Sequence, residues 1–199
     1  MNDEFKTLIA EQRKRIRPYV LAFTSPWLTE DDVIADYLPA YKKGEQLLWR
    51  MIALATTVFD YEGVKTVVHG DGRRYEDTAS AIAQQFYQAE EHPVQVLLEP
   101  KLSHTPDYWD NFTLSFRRLP RKERGEWLLE HRQMFTDLIK QHGADTVFIA
   151  SSAVIESCLY DKITMRRMAA KDKLLHTAPG DAVLFIADGR PLARTKLSW

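Results

Sequence analysis

The sequence predicts an α+β fold, a mixed sheet with packed helices and a helical N-terminal third. Three observations carry the prediction. Apolar residues recur at helical spacing through the first 55 positions. The period then shifts to short runs rich in β-branched residues, such as "VQVLL" and "TVFIA". Those runs alternate with further helical stretches, so both element types share one core. At 199 residues the chain suits one domain, 1–199, with 1–55 as its helical part and 56–199 as its α+β core.

In chain order, residues 3–23 read as an amphipathic helix, with Phe5, Leu8, Ile9, Ile16, Tyr19, Val20 and Phe23 as its apolar stripe and a bend at Pro18. Thr29 caps a short acidic helix that stops before Pro39. A third helix spans about 40–55, with Leu47, Leu48, Met51, Ile52 and Leu54 facing inward and Trp49 suited to the same core. "TTVFDYEGVKTVV" reads as a hairpin around Asp60–Gly63. The next helix sets Ala79, Ile82, Ala83 and Phe86 on one face, and Pro93 opens a buried strand, "VQVLL".

"NFTLSF" alternates Phe112, Leu114 and Phe116 as a half-buried strand does. Residues 121–141 form a long helix ended by Gly143, with Trp127, Leu128, Met134, Leu138 and Ile139 inward. "TVFIA" is a strand, and Ser151 or Ser152 caps the short helix after it. Residues 162–175 read as helical, and Asp188-Gly189 between two apolar runs marks a closing hairpin.

Composition narrows the function classes. With 45% apolar and 28% charged residues the chain is neither disordered nor low in complexity. No apolar run approaches the ~20 residues that span a bilayer, and the N-terminus lacks a signal-peptide core, so a cytoplasmic location is expected. The single cysteine, Cys158, rules out an internal disulfide and reads as a buried thiol in "AVIESCLY". The histidines show neither HExxH nor an i, i+4 pair, and no metal site is expected from them. A net charge of −1 gives no general attraction for nucleic acid, but the charge is unevenly placed, and clusters that share a face would form a phosphate-neutralising patch where separate ones are solvated helix faces and loops. Arg117, Arg118, Arg121, Lys122 and Arg124 form one cluster, Lys162, Arg166, Arg167, Lys171 and Lys173 another, and Arg13, Lys14, Arg15 and Arg17 a third.

Chemistry shows most clearly in "TVVHGDGRRYEDTASAIAQQF". A strand enters a Gly-x-Gly turn, two arginines follow, and a helix starts. Amides and the positive helix end then point at whatever lies above the turn, and the guanidinium forks suit phosphate. Gly70, Gly72, Arg73 and Arg74 are thus a candidate phosphate-binding set. The third glycine of the dinucleotide fingerprint and the Gly-Lys-Ser/Thr of the Walker turn are both absent.

The extended stretch, residues 64–98, resembles the strand–GxxR–helix–strand box of the ParB/sulfiredoxin-like superfamily. That resemblance implies a nucleotide-phosphate turn at Gly70, Asp71, Gly72, Arg73 and Arg74. "DNFTLSFRR" is similar to the Asn-and-Arg box that follows, which brings in Asn111 and Arg117 or Arg118. The turn's glycine comes one residue early, and no helix-turn-helix pattern follows residue 143, so a ParB-style DNA reader is not expected. Sulfiredoxin chemistry needs a cysteine where this chain has Gly72, so that reaction is excluded.

A second hint is "VQVLLEPK", whose Glu-x-Lys matches the end of a PD-(D/E)xK nuclease signature. There a carboxylate such as Glu99 holds Mg²⁺ and Lys101 steadies the attacking water, with Asp71 or Asp60 as the upstream carboxylate. The expected function is a small regulatory protein, of the mobile-element or phage type, that binds a nucleotide or nucleic acid through Gly70–Arg74 with Arg117 and Arg118. A protein-interaction role through the N-terminal helices is the alternative, and a Mg²⁺-dependent nuclease on Asp71, Glu99 and Lys101 the third.

Overall fold

The computed structural model describes residues 19–24, 38–59, 63–90, 93–103, 120–159 and 181–197. The fold is α+β, built on one six-stranded mixed sheet. The strands are β1 (Tyr19–Thr24), β2 (Thr66–His69), β3 (Gln95–Leu98), β4 (Thr146–Ala150), β5 (Ala182–Ile186) and β6 (Pro191–Thr195). The helices are α1 (Leu38–Phe59), α2 (Arg73–Glu90), α3 (Arg121–His142) and α4 (Ser152–Leu159), with a 3-10 turn at Pro100–Ser103. The strand order is β3-β2-β4-β1-β5-β6. The first four strands run parallel, while β5 and β6 are antiparallel to their neighbours.

Helices cover both faces. Leu47, Met51, Leu54, Ala55 and Val58 of α1 and Tyr75, Ala79, Ile82 and Phe86 of α2 pack on Leu21, Phe23, Val67, Val147 and Ile149. On the opposite face, Phe135, Leu138 and Ile139 of α3 and Val154, Ile155 and Cys158 of α4 meet Val20, Ala22, Val68, Phe148 and Phe185. Phe135 contacts Phe148 and Phe185 edge-on, with ring centroids 5.2 and 5.6 Å apart. Among the described residues no helix is long and apolar enough to cross a membrane.

Four expectations are corrected. Residues 19–23 are not the end of a helix but the central strand β1, paired on both sides and buried throughout its apolar part. A strand buried on both faces reads as a continuous apolar run, which helical spacing can mimic. Thr56–Phe59 are not a hairpin arm either, because α1 continues through them. Thr56 and Thr57 hydroxyls donate to the carbonyls of Ile52 and Ala53 at 2.9 and 2.7 Å, and Val58 and Phe59 extend the buried stripe.

The third correction concerns β3. Among the described residues it lies at the edge, paired only with β2, with Val96 40%, Leu97 38% and Leu98 57% exposed. The fourth concerns Trp49, which is 66% exposed because it falls on the side of α1 opposite Leu47 and Met51.

Other expectations stand. The buried face of α2, the helix at 121–142, the "TVFIA" strand and the Asp188-Gly189 hairpin all appear as expected. Ser151 caps α4, its Oγ accepting the Val154 amide at 3.4 Å. The expected helices at 3–18, 29–37 and 162–175 and the strand at 111–116 lie outside the described residues.

Candidate functional site

In this sheet β2 sends its chain over the α1/α2 face toward β3, while its neighbour β4 sends its chain over the α3/α4 face toward β5. Between their carboxyl ends lies the kind of crevice in which open α/β sheets take ligands. The turn Gly70–Gly72 forms one lip, and Ser151 at the start of α4 forms the other. The Gly70 amide donates to the Ile149 carbonyl at 3.1 Å, closing the strands up to the lip.

The two glycines of the turn have separate reasons. A Cβ on Gly70 would stand 2.6 Å from the Ser103 amide nitrogen, so only glycine lets the 3-10 turn lie against β2. Gly72 has φ +108°, and its carbonyl accepts the Tyr75 and Glu76 amides at 3.0 and 3.2 Å, so it starts α2. The positive end of α2 faces the space beyond this turn.

The arginines differ in how firmly they are held. Arg74 lies over the Tyr75 ring at 4.8 Å, and its Nη2 donates to the Tyr75 hydroxyl at 3.0 Å. Tyr75 is buried, so this contact orients the guanidinium at the helix start. Arg73 is exposed and 3.7 Å from Asp77 one helical turn on, a pairing weak enough to give way to a ligand.

The 3-10 turn occupies part of the crevice. Leu102 is fully buried there, and its carbonyl accepts the Ser151 amide at 2.8 Å. Ser103 Oγ accepts the Asp71 amide at 2.9 Å and donates to the Pro100 carbonyl at 2.8 Å. The Asp71 amide is thereby used within the chain.

Parallel pairing of β2 with β3 brings Glu99 beside this turn despite the 27 residues that separate it from Asp71 in sequence; the Glu99 amide donates to the His69 carbonyl at 2.8 Å. Glu99 Oε1 accepts the Lys101 amide at 3.2 Å. Among the described residues no group of three His, Cys, Asp or Glu side chains is placed to hold a metal ion. Arg117, Arg118, Asn111 and Asp60 lie outside the described residues.

Three further polar groups have surroundings that only the folded chain shows. His69 is buried at the end of β2, with Nδ1 2.8 Å from the Gly70 carbonyl oxygen. Asp181, fully buried at the start of β5, pairs with Arg194 Nη2 at 2.8 Å, and its carbonyl accepts the Thr24 amide at 2.9 Å. His142, in the last turn of α3, sits against Phe148 at 5.8 Å between ring centroids; burial holds it below the usual histidine value, partly offset by the Glu99 charge. Cys158 is a buried thiol, pushed up to about 12 by desolvation against the opposing effects of Ser157 and Arg132.

No protein-family model and no curated protein matches the sequence. Among solved structures, the chain is similar to a mycobacterial glucosyl-3-phosphoglycerate phosphatase complexed with VO3. The TM-score is 0.48 and the identity 14%, over 88% of this chain and 94% of that one. A likeness of that size transfers no activity.

Proposed function

We propose that this protein binds a phosphate-bearing ligand, a nucleotide or a nucleic acid, at the Gly70–Arg74 turn, and that it acts as a regulatory binding protein. The observation that supports this most is the position of the turn. Gly70, Gly72 and the start of α2 lie at the crevice between diverging strands β2 and β4, and Arg74 is held at that helix start by Tyr75. Helix end and guanidinium fork favour the same anion from two directions. Arg117 and Arg118 would add charge from the segment that follows Ser103.

The test is a titration with nucleotides and with single- and double-stranded oligonucleotides at low salt, using wild type and Arg73→Ala/Arg74→Ala. The double variant is expected to lose about tenfold or more in affinity while keeping its melting temperature. Unchanged affinity, or no binding by the wild type, would sink the proposal.

A second reading, a protein-interaction role, has its own support in the exposed Trp49 and the apolar edge strand β3. Aromatic anchors and open strand edges are what partners seize. Recovery of a stoichiometric protein partner that is lost on Trp49→Ala, with no nucleotide bound, would favour it over the first.

A further inference from the structure

We infer that the β3 edge pairs with β3 of a second copy of this chain, antiparallel about a twofold axis at Leu97, so that two sheets join into one. This goes beyond ligand binding at the turn and gives the apolar edge a definite occupant. The two edges of the sheet are built differently. Open strand edges invite further strands, and proteins blunt them with proline, charge and bulges. β6 has all three guards: Pro191 opens it, Arg194 lies within it, and its pairing with β5 is irregular at Leu184–Phe185. β3 has none. Gln95–Leu98 holds neither charge nor proline and pairs with β2 in unbroken register.

Both faces of a parallel strand are ordinarily covered by helices. Val96 and Leu98 stand level with Val67 and His69, on the α1/α2 face, and Leu97 stands level with Val68, on the other. All three are nevertheless exposed, so the helices stop short of this edge on both sides.

The backbone fixes how a strand can join. The Gln95 and Glu99 amides donate to the Lys65 and His69 carbonyls at 3.0 and 2.8 Å, so alternate residues from Gln95 to Glu99 face β2. Val96 and Leu98 lie between them, and their amides and carbonyls point outward. An axis at Leu97 sets Val96 against Leu98 of the partner subunit, and Leu98 against the partner's Val96, as pairs that exchange both hydrogen bonds. Leu97 meets its own copy, so the three exposed apolar side chains cover one another. Gln95 falls opposite Glu99 of the partner subunit, an amide donor facing the only charge in the ladder.

Other arrangements match less well. An axis at Val96 opposes Leu97 to Gln95 and Leu98 to Val94, which already packs on the core. A parallel ladder uses different patches on the two copies and does not close. With β6 guarded, assembly ends at two copies. A ladder from Gln95 to Glu99 covers less than the ~1,200 Å² of a standard interface, so a reversible dimer with a Kd of about 50 μM is expected.

The experiment is sedimentation equilibrium on the full chain from about 5 to 500 μM, which brackets that Kd. The proteins are wild type, Leu97→Lys, Trp49→Ala and Leu97→Cys. Wild type should pass from monomer to dimer across the range. Leu97→Lys should stay monomeric at an unchanged melting temperature, because the side chain it replaces is exposed. Trp49→Ala should dimerise as wild type does. Opposed residues that exchange no hydrogen bond lie about 4.5 Å apart at Cα, within disulfide reach, so Leu97→Cys should give a covalent dimer on oxidation. Wild type, whose Cys158 is buried, should not. A wild type that stays monomeric throughout overturns the proposal and leaves the edge to a strand of another protein. Dimerisation by Leu97→Lys equal to wild type overturns it too, as does a monomeric Trp49→Ala or a Leu97→Cys that dimerises without crosslinking. None of these outcomes involves Arg73 or Arg74, so the anion site stands or falls separately.

Discussion

The two ends of the parallel strands are built in opposite ways. Where β2 and β4 begin, polar groups satisfy one another in the open. The Asp145 carbonyl accepts the Lys65 and Thr66 amides at 2.9 and 3.4 Å, and its own amide donates to the Tyr19 carbonyl at 3.0 Å. Its carboxylate meets Lys65 Nζ at 2.7 Å, with both side chains in reach of solvent. Where the same strands end, Thr24, His69, Ser151 and Asp181 are buried instead. Burying polar groups is costly unless they are hydrogen-bonded. Thr146, at the start of β4, is buried as well, so the two ends differ in how their polar groups are partnered rather than in whether any are buried.

That contrast can be broken most forcefully at Asp181. Asp181→Ala removes the fully buried partner of Arg194 and is expected to cost about 3 kcal/mol in chemical denaturation, the low end for a broken buried pair because Arg194 reaches solvent. A loss below about 1 kcal/mol, the range of exposed pairs, would show that this end is no more demanding than the Lys65–Asp145 seam.

Next in size is Gly70→Ala. The added methyl would meet the Ser103 backbone, which has little freedom to move while Leu102 is anchored to Ser151. A loss of about 2 kcal/mol is expected from overpacking. Equal stability of variant and wild type in urea would mean the 3-10 turn is not pressed on β2.

The smallest effect concerns His142. Its folded value lies below the ordinary 6.5, so as pH falls below that value the unfolded chain takes up a proton before the folded one does. Stability is therefore complete above pH 6.5 and declines as pH drops toward the lowered value. The urea midpoint of the wild type should fall between pH 7.5 and 5 by more than that of His142→Gln, and parallel curves would show that the ring is not desolvated.

The sequence revealed elements wherever one face is apolar and the other wet, as in α2 and α3, and wherever turn chemistry is explicit, as at Asp188-Gly189. It misled where pairing partners decide. Tyr19–Thr24 and Gln95–Leu98 are both apolar runs, yet one is the centre of the sheet and the other its edge, and only the strand order separates them. Thr56 and Thr57 carried strand-like composition into a helix because Val58 and Phe59 had core to fill. At the candidate site, the local grammar of strand, glycine turn, arginines and helix was legible. The approach of Glu99 and the docking of Ser103 were not, since each depends on a neighbouring strand.

Cys158 carries a last consequence, in redox terms. It is the only thiol in the chain, and with its value near 12 almost none of it is thiolate at neutral pH. At cysteine, peroxide, glutathione disulfide and nitrosating agents all need that thiolate, so the folded protein presents them with no reactive thiol. A mixed disulfide or covalent dimer formed at neutral pH would therefore report unfolding rather than signalling.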